Sequence, residues 1–87
     1  MIRLYYLPEL DTLDLWLDNP NKEEIAEPLT DNIILKLDNK GNTIGLEILS
    51  LQKLNHNDLA QLPPLLRKAL QQTLRKLTTK TNQIIQT

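Results

Sequence analysis

The chain has 87 residues, a formal net charge of −1, 40% hydrophobic residues and no cysteine. This length fits one small domain, and the absence of cysteine excludes a disulfide framework and a cysteine-based zinc site. Leu and Ile dominate the apolar residues, and the only aromatic residues are Tyr5, Tyr6 and Trp16, which leaves few rings for stacking on nucleic acid bases.

The charges are distributed unevenly along the chain. All eleven acidic residues lie at or before Asp58, so residues 1–58 carry a balance of −6 and residues 59–87 a balance of +5. This asymmetry indicates either two halves that attract one another or a surface that binds a charged partner. No signal peptide is visible, and no segment approaches the roughly 20 apolar residues of a membrane span. The sequence predicts a cytoplasmic protein.

The first predicted element is a β-hairpin. Apolar residues alternate in Ile2–Leu7 and again in Leu13–Leu17, and the segment between them begins with Pro8, which cannot donate to a strand ladder. A loop follows at Asp18–Lys22. The acidic segment Glu23–Asp31, which contains a proline, is predicted to be a connector or a short irregular strand.

A second hairpin is predicted between Asn32 and Leu49. Asp38–Asn42 is a turn sequence in which Gly41 can adopt a positive φ. If Asp38 pairs with Thr43, six apolar residues share one face in three cross-strand pairs. These pairs are Leu37 with Ile44, Leu35 with Leu46, and Ile33 with Ile48.

The C-terminal third is predicted to cover the apolar face of this sheet. Asn55 and Asn57 are both candidate N-caps for a short helical turn, and a longer amphipathic helix is expected from Pro64 to Leu77. The predicted fold is therefore α+β, with a four-stranded antiparallel meander of two hairpins followed by a C-terminal helix. Residues 1–54 form the sheet part and residues 55–87 the helical segment and tail of a single domain.

Two motifs resemble a family of small bacterial proteins of unknown function. The segment from Tyr6 to Leu17 resembles the family's opening, Tyr-Asp-Pro-Glu-x-Asp-x-Leu-Tyr-Ile, with departures at Leu7 and Asp14. Asp38 with Gly41, and Gly45-Leu46-Glu47-Ile48-Leu49, resemble the family's second motif, Asp-x-x-Gly followed by Gly-Ile-Glu-Ile-Leu. The resemblance covers roughly residues 1–50. It implies an association with small ribonuclease-like toxins in bacterial two-gene modules, in which the chain is the antitoxin-like partner.

No set of side chains indicates catalysis, so we expect a non-enzymatic protein without cofactor or metal. His56 is the only histidine, and one imidazole without a second imidazole or thiol is far from a ligand set. It is predicted to be a solvated cap residue. The acids in Glu23–Asp31 lack the ligand spacing and central glycine of a calcium loop and are predicted to face solvent or a partner.

Protein interaction is the predicted function. Trp16 is on the sheet face opposite Leu13, Leu15 and Leu17, where it is either an exposed anchor or is covered by the tail or by a second copy of the chain. Both possibilities predict an interface, and a homodimer is expected because one helix cannot cover both faces of the sheet. The candidate interface residues are Tyr5, Trp16, Leu66, Leu70, Leu74 and Leu77.

The alternative function is nucleic acid binding by the C-terminal helix. Four basic residues repeat at a helical spacing and could contact phosphates, namely Arg67, Lys68, Arg75 and Lys76. The interleaved Gln and Thr residues, the overall acidity and the missing aromatic platform favour the protein-binding interpretation.

Overall fold

A computed structural model of the chain describes residues 2–86, with side chains described for residues 2–75. This part of the chain contains five strands, two 3₁₀ turns and two α-helices. In order they are β1 (Arg3–Leu7), β2 (Thr12–Trp16), a 3₁₀ turn (Pro20–Lys22), β3 (Ile25–Pro28), β4 (Ile33–Leu37), β5 (Thr43–Ile48), a second 3₁₀ turn (Leu51–Lys53), α1 (His56–Gln61) and α2 (Pro64–Gln86). The predicted α+β class is confirmed.

The strands form one antiparallel sheet in the order β1-β2-β5-β4-β3. The expected four-stranded meander is wrong in two respects: Ile25–Pro28 is a fifth strand, and β2 pairs with β5. After β2 the chain crosses to the far edge of the sheet and returns through β3, β4 and β5, so β2 to β5 have the spatial order of a Greek key. All four residues of β3 are exposed, so this strand has no buried side chains to produce an alternating pattern.

The first predicted hairpin is confirmed. β1 and β2 pair with Leu4 opposite Leu15 and Tyr6 opposite Leu13. The connection between them ends at Asp11, whose φ of 57° lies in the left-handed region. Aspartate tolerates this conformation better than most other residues with a side chain.

The second hairpin, β4 with β5, keeps most of its predicted register. Two pairs are confirmed, Ile33 opposite Ile48 and Leu35 opposite Leu46. At the closed end the prediction is wrong, because Leu37 pairs with Thr43 and Ile44 becomes the extra residue of a β-bulge. The cause is a shorter turn: Asp38 N–H donates to the carbonyl of Asn42 at 2.9 Å, and the turn's glycine has a φ of 83°.

The core lies between one face of the sheet and the helical segment. Its buried members are Leu13, Leu15, Ile33, Leu35, Leu37, Leu46 and Ile48 from the strands and Leu62, Leu66 and Leu70 from the helical segment. The two predicted parts of the chain therefore share one core, and each aliphatic side chain removed from water contributes roughly 1.5 to 3 kcal/mol.

The helices begin where their capping residues predict. Of the two candidate N-caps, Asn55 is the one used: its side chain accepts from Asp58 N–H at 2.9 Å, and the Asp58 carboxylate accepts from Asn55 N–H at 3.3 Å. α2 begins at Pro64 as predicted, but it continues past Leu77 to Gln86. The residues after Leu77 include threonine at positions 78, 79 and 81 but no glycine or proline, and the lower helix propensity of threonine costs only tenths of a kcal/mol per residue.

The length of α2 raises the question of a membrane span. No helix in the described part of the chain is both long enough and apolar enough to cross a bilayer.

Candidate interaction surface

The sheet has a second side, opposite the helices, which we call the open face. Two cross-strand rows run across its centre. One row is Arg3, Trp16, Gly45, Lys36 and Ala26, and the other is Tyr5, Asp14, Glu47, Ile34 and Pro28. The helices bury their apolar residues on the other side, so a partner that binds a face of the sheet meets the open face.

The centre of the open face is acidic. Lys36 Nζ lies 3.5 Å from Glu23 Oε2 and 3.5 Å from Glu47 Oε1, and Asp14 is opposite Glu47 in the same row. Partial burial is the main cause that raises the pKa of Asp14. The neighbouring Glu47 and Glu23 add to this, and Lys36 partly opposes it. Three carboxylates therefore surround one ammonium group, which leaves an excess of negative charge.

Exposed apolar side chains flank this acidic centre. Tyr5 is 53% exposed and Leu7 is 50% exposed on β1, and Leu49, directly after β5, is 40% exposed. By strand alternation all three are on the open face, because their neighbours Leu4, Tyr6 and Ile48 are on the core face. Large exposed apolar side chains grouped on one face mark a candidate protein-binding surface.

Trp16 is not an exposed anchor, because only 9% of its surface is accessible. It is directly opposite Gly45 on β5. A Cβ atom at Gly45 would come within 2.7 Å of Trp16 Cε3 and 2.7 Å of the Leu15 carbonyl oxygen, so the indole occupies the space that a side chain there would need. The chain itself thus buries Trp16, without a second copy.

A polar corner around Asp11 joins the first hairpin to the end of β5. Asp11 Oδ1 accepts from Tyr6 Oη at 2.8 Å, and Oδ2 accepts from Ser50 Oγ at 3.1 Å and from Gln52 N–H at 2.8 Å. These hydrogen bonds lower the pKa of Asp11, and the bond from the Gln52 N–H has the largest effect. This role of Asp11 is not evident from the sequence, although the residue is part of the opening motif.

The backbone of Ser50 also makes two hydrogen bonds with the side chain of Asn32. Its N–H donates to Asn32 Oδ1 at 2.9 Å, and its carbonyl accepts from Asn32 Nδ2 at 2.8 Å. A cleft of about 600 Å³ lies beside this pair, lined by Thr30, Asp31, Asn32, Leu49, Ser50, Lys53, Asn55, Asp58 and Gln61. The side chains of Asn32, Asn55 and Asp58 already bond to the backbone, so their hydrogen bonds position loops.

The apolar stripe predicted on α2 faces the core. Leu66 and Leu70 are 3% and 0% exposed, and Leu74 is partly buried against the same cluster. The expectation that Leu66 and Leu70 contact a partner is therefore wrong, because the fold of the chain itself already buries them. The side chain of Leu77 lies outside the described residues, and Tyr5 is the interface candidate that remains exposed.

The basic residues predicted to bind phosphates do not act as one strip. Arg67 is half-buried and donates from Nη2 to the Leu62 carbonyl at 3.1 Å, where it caps the end of α1. Lys68 and Arg75 are exposed, and the side chain of Lys76 lies outside the described residues. Arg67 thus has a structural role that a phosphate contact would disturb.

The remaining candidates are His56 and the acidic residues of the segment Glu23–Asp31. His56 is the exposed first residue of α1. Glu23 pairs with Lys36, whereas Glu24 and Glu27 are exposed along the β3 edge. Within the described residues, no three His, Cys, Asp or Glu side chains are grouped so as to hold a metal ion.

Asp11→Asn and Asp14→Asn are expected to change stability in opposite directions at neutral pH. The lowered pKa of Asp11 means that its ionised form stabilises the fold. That contribution is present above the unfolded-state pKa of about 3.9 and is lost as the pH falls through the lower folded value. The raised pKa of Asp14 means that its ionised form destabilises the fold. Asp14→Asn should therefore raise the melting temperature at pH 7, and Asp11→Asn should lower it.

Thermal melts of the wild type and both variants between pH 7 and pH 3 check this expectation. Both differences should shrink toward pH 3, because the wild-type carboxyls become protonated. Asparagine also tolerates the left-handed backbone at position 11, so strain does not confuse the comparison. If both substitutions changed the melting temperature in the same direction at pH 7, the opposite roles given to the two carboxylates would be wrong.

Comparison with known proteins identifies the family. A family model described as "Protein of unknown function (DUF2283)" matches residues 3–51, which is more than half of the chain and includes β1 to β5. Neither a curated protein nor a solved structure matches the chain significantly. The matched region contains Asp11, the Trp16–Gly45 pair and the open face. Because the match covers more than half of the chain, the chain belongs to the DUF2283 family.

Proposed function

We propose that this chain is a non-catalytic protein-binding protein that acts as the antitoxin-like partner of a small bacterial toxin. The observation that carries the proposal is the open face, where exposed Tyr5, Leu7 and Leu49 flank an acidic centre. The helical segment covers only one face of the sheet, which leaves the other face available to a second protein.

The chemistry of this face favours a basic partner. A lysine or arginine side chain placed between Asp14 and Glu47 would neutralise carboxylates that Lys36 alone does not balance. The same cation would lower the pKa of Asp14 toward its ordinary value and so recover the cost of its ionisation in the free chain. Apolar contacts at Leu49 and Tyr5 would exclude water around the ion pairs and strengthen them.

The toxin assignment itself rests on the resemblance of the two motifs to an antitoxin-associated family. A small ribonuclease-like toxin binds RNA and is therefore basic, which agrees with the charge of the open face. In this proposal the chain inhibits by occupying the toxin's basic surface, and the chain's own residues perform no chemistry.

The test is co-expression with the protein encoded by the adjacent gene, followed by a binding assay with both purified proteins. The wild-type chain should relieve growth arrest by the neighbour and bind it with an affinity that falls as salt increases. Leu49→Asp should weaken binding at least tenfold, which corresponds to about 1.4 kcal/mol. Asp14→Asn should weaken binding although it makes the free chain more stable, so loss of folding cannot explain the effect.

Leu65→Asp is the matched control, because Leu65 is 83% exposed on α2 and does not belong to the open face. This variant should bind normally. Failure of the wild-type chain to relieve growth arrest would refute the toxin assignment. Loss of function in a Lys68→Glu, Arg75→Glu variant, with Leu49→Asp unaffected, would instead favour nucleic acid binding by α2.

A further inference from the structure

We propose that two copies of this chain join through their β1 strands, antiparallel and with Tyr5 at the two-fold axis, to form one continuous sheet. This inference is argued from the backbone groups at the edge of the sheet, so it does not depend on the proposed function, although Tyr5 and Leu7 also belong to the open face. It follows from which backbone groups β1 leaves unpaired and from which side chains accompany them.

The hydrogen bonds of β2 determine the outward direction of β1. Leu17 N–H donates to the Ile44 carbonyl of β5 at 2.8 Å. Successive residues of a strand direct their N–H and C=O groups to opposite sides. Leu13 and Leu15 therefore also bond toward β5, and Asp14 and its even-numbered neighbours bond toward β1.

The pairing of the first hairpin then assigns each residue of β1. Tyr5 is opposite Asp14, and Arg3 and Leu7 are likewise opposite even-numbered residues of β2, so these three use their backbone groups inside the hairpin. The N–H and C=O groups of Leu4 and Tyr6 point away from the sheet. Within the described part of the chain, no backbone hydrogen bond reaches this outer side of β1.

The outer side of β1 is complementary to itself. When a second copy pairs antiparallel with Tyr5 opposite Tyr5, Leu4 of each copy is opposite Tyr6 of the other. Each Leu4–Tyr6 pair then exchanges two N–H···O=C bonds, so all the outward groups of both residues are satisfied. This register uses the whole of β1, because Tyr5 is the central residue of Arg3–Leu7.

The side chains fit the same register. Tyr5 at the axis occupies a non-hydrogen-bonded position, where opposing Cα atoms are about 4.5 Å apart and aromatic pairs contact most closely. Leu7 of one copy is opposite Arg3 of the other and can pack on its aliphatic stem. Tyr5, which is 53% exposed in a single copy, would thus be partly covered by its counterpart, and Leu7, which is 50% exposed, by Arg3.

The opposite edge of the sheet lacks this complementarity. β3 contains Glu27 and ends at Pro28, and charged residues and proline are the devices by which edge strands avoid pairing. Arg3 is the only charged residue within β1, and Pro8 lies beyond its end. The contrast between the two edges favours a second copy at β1.

The absence of cysteine in the chain allows a register-specific test. Tyr5→Cys introduces one thiol, and at the two-fold axis the two Cα atoms are within the range that a disulfide bridges. Mild oxidation of the purified full chain should give a covalent dimer on a non-reducing gel. Leu7→Cys is the matched control, because the strand offset separates its two thiols by about 13 Å, and it should remain largely monomeric on the gel.

Two measurements without a disulfide complete the test. Wild-type chain should have twice the 10.1 kDa monomer mass in light scattering. Tyr5→Lys, which places two ammonium groups opposite each other, should have the monomer mass and keep the wild-type circular dichroism spectrum. A monomeric wild type, or cross-linking of Leu7→Cys as efficient as that of Tyr5→Cys, would overturn the proposal. Leu49→Asp should stay dimeric while losing the toxin, so the two proposals can fail separately.

Discussion

Leu70→Glu is expected to remove the cooperative folded state of this protein. Leu70 is fully buried where α2 packs on the sheet. Loss of a buried leucine costs about 2 to 5 kcal/mol, and an unpaired carboxylate in its place adds several kcal/mol more. A small domain has a total stability on the order of 5 to 10 kcal/mol, so the substitution should exceed it. Thermal melts followed by circular dichroism should show no sharp transition.

Leu65→Glu is the control for this experiment, because it places the same carboxylate on the same helix at a position that is 83% exposed. Its stability should remain within about 0.5 kcal/mol of the wild type. If Leu70→Glu melted like Leu65→Glu, α2 would not be packed on the sheet. The comparison also separates a folding defect at Leu70 from the binding defect that the sequence alone suggests.

The sequence predicted strands where one face is buried, and where neither face is buried it left a connector or a short irregular strand as alternatives. β1 and β4 alternate more buried with more exposed residues throughout, and β2 and β5 depart from this alternation only at Trp16 and Gly45. β3 is exposed throughout, because it is an edge strand beyond the reach of the helices. Its pairing depends on backbone bonds, which leave no pattern in the side chains.

The amphipathic stripe of α2 and its packing on the sheet were predicted correctly, but its leucines were also predicted to contact a partner. A row of leucines at helical spacing indicates that one side of a helix is covered, and it does not distinguish the chain's own sheet from another molecule. Leu66 and Leu70 are covered by the sheet. The face that remains uncovered is on the other side of the sheet, where alternation had already placed Tyr5.

The contacts of Asp11 and Trp16 could not be predicted from the sequence, because they join distant parts of the chain. Asp11 binds Ser50 and Gln52, and Trp16 lies over Gly45. Neither partner can be identified from local pattern, since pairing β2 with β5 requires the crossover that the predicted meander lacked. The region that the family model matches, residues 3–51, contains Asp11, Trp16 and Gly45, and the structure gives a physical role to each of them.

Gly45→Ala is expected to destabilise the protein by about 2 to 3 kcal/mol, the upper range for overpacking a well-packed site. The new Cβ would lie 2.7 Å from both Trp16 Cε3 and the Leu15 carbonyl oxygen. The backbone oxygen cannot move without disturbing the β2–β5 ladder, so the indole must shift toward solvent. Because Trp16 is the only tryptophan, its fluorescence reports this shift directly, and emission of the folded variant should move to longer wavelength.

Gly41→Ala separates this steric effect from the general cost of replacing a glycine. Gly41 has a φ of 83°, and a methyl group added there would meet no atom within 4 Å. Alanine at this position is therefore strained by about 1 to 2 kcal/mol without touching Trp16. Its unfolding midpoint in denaturant should fall, while its native emission stays that of the wild type. A red shift in both variants, or in neither, would show that Gly45 does not hold the indole in place.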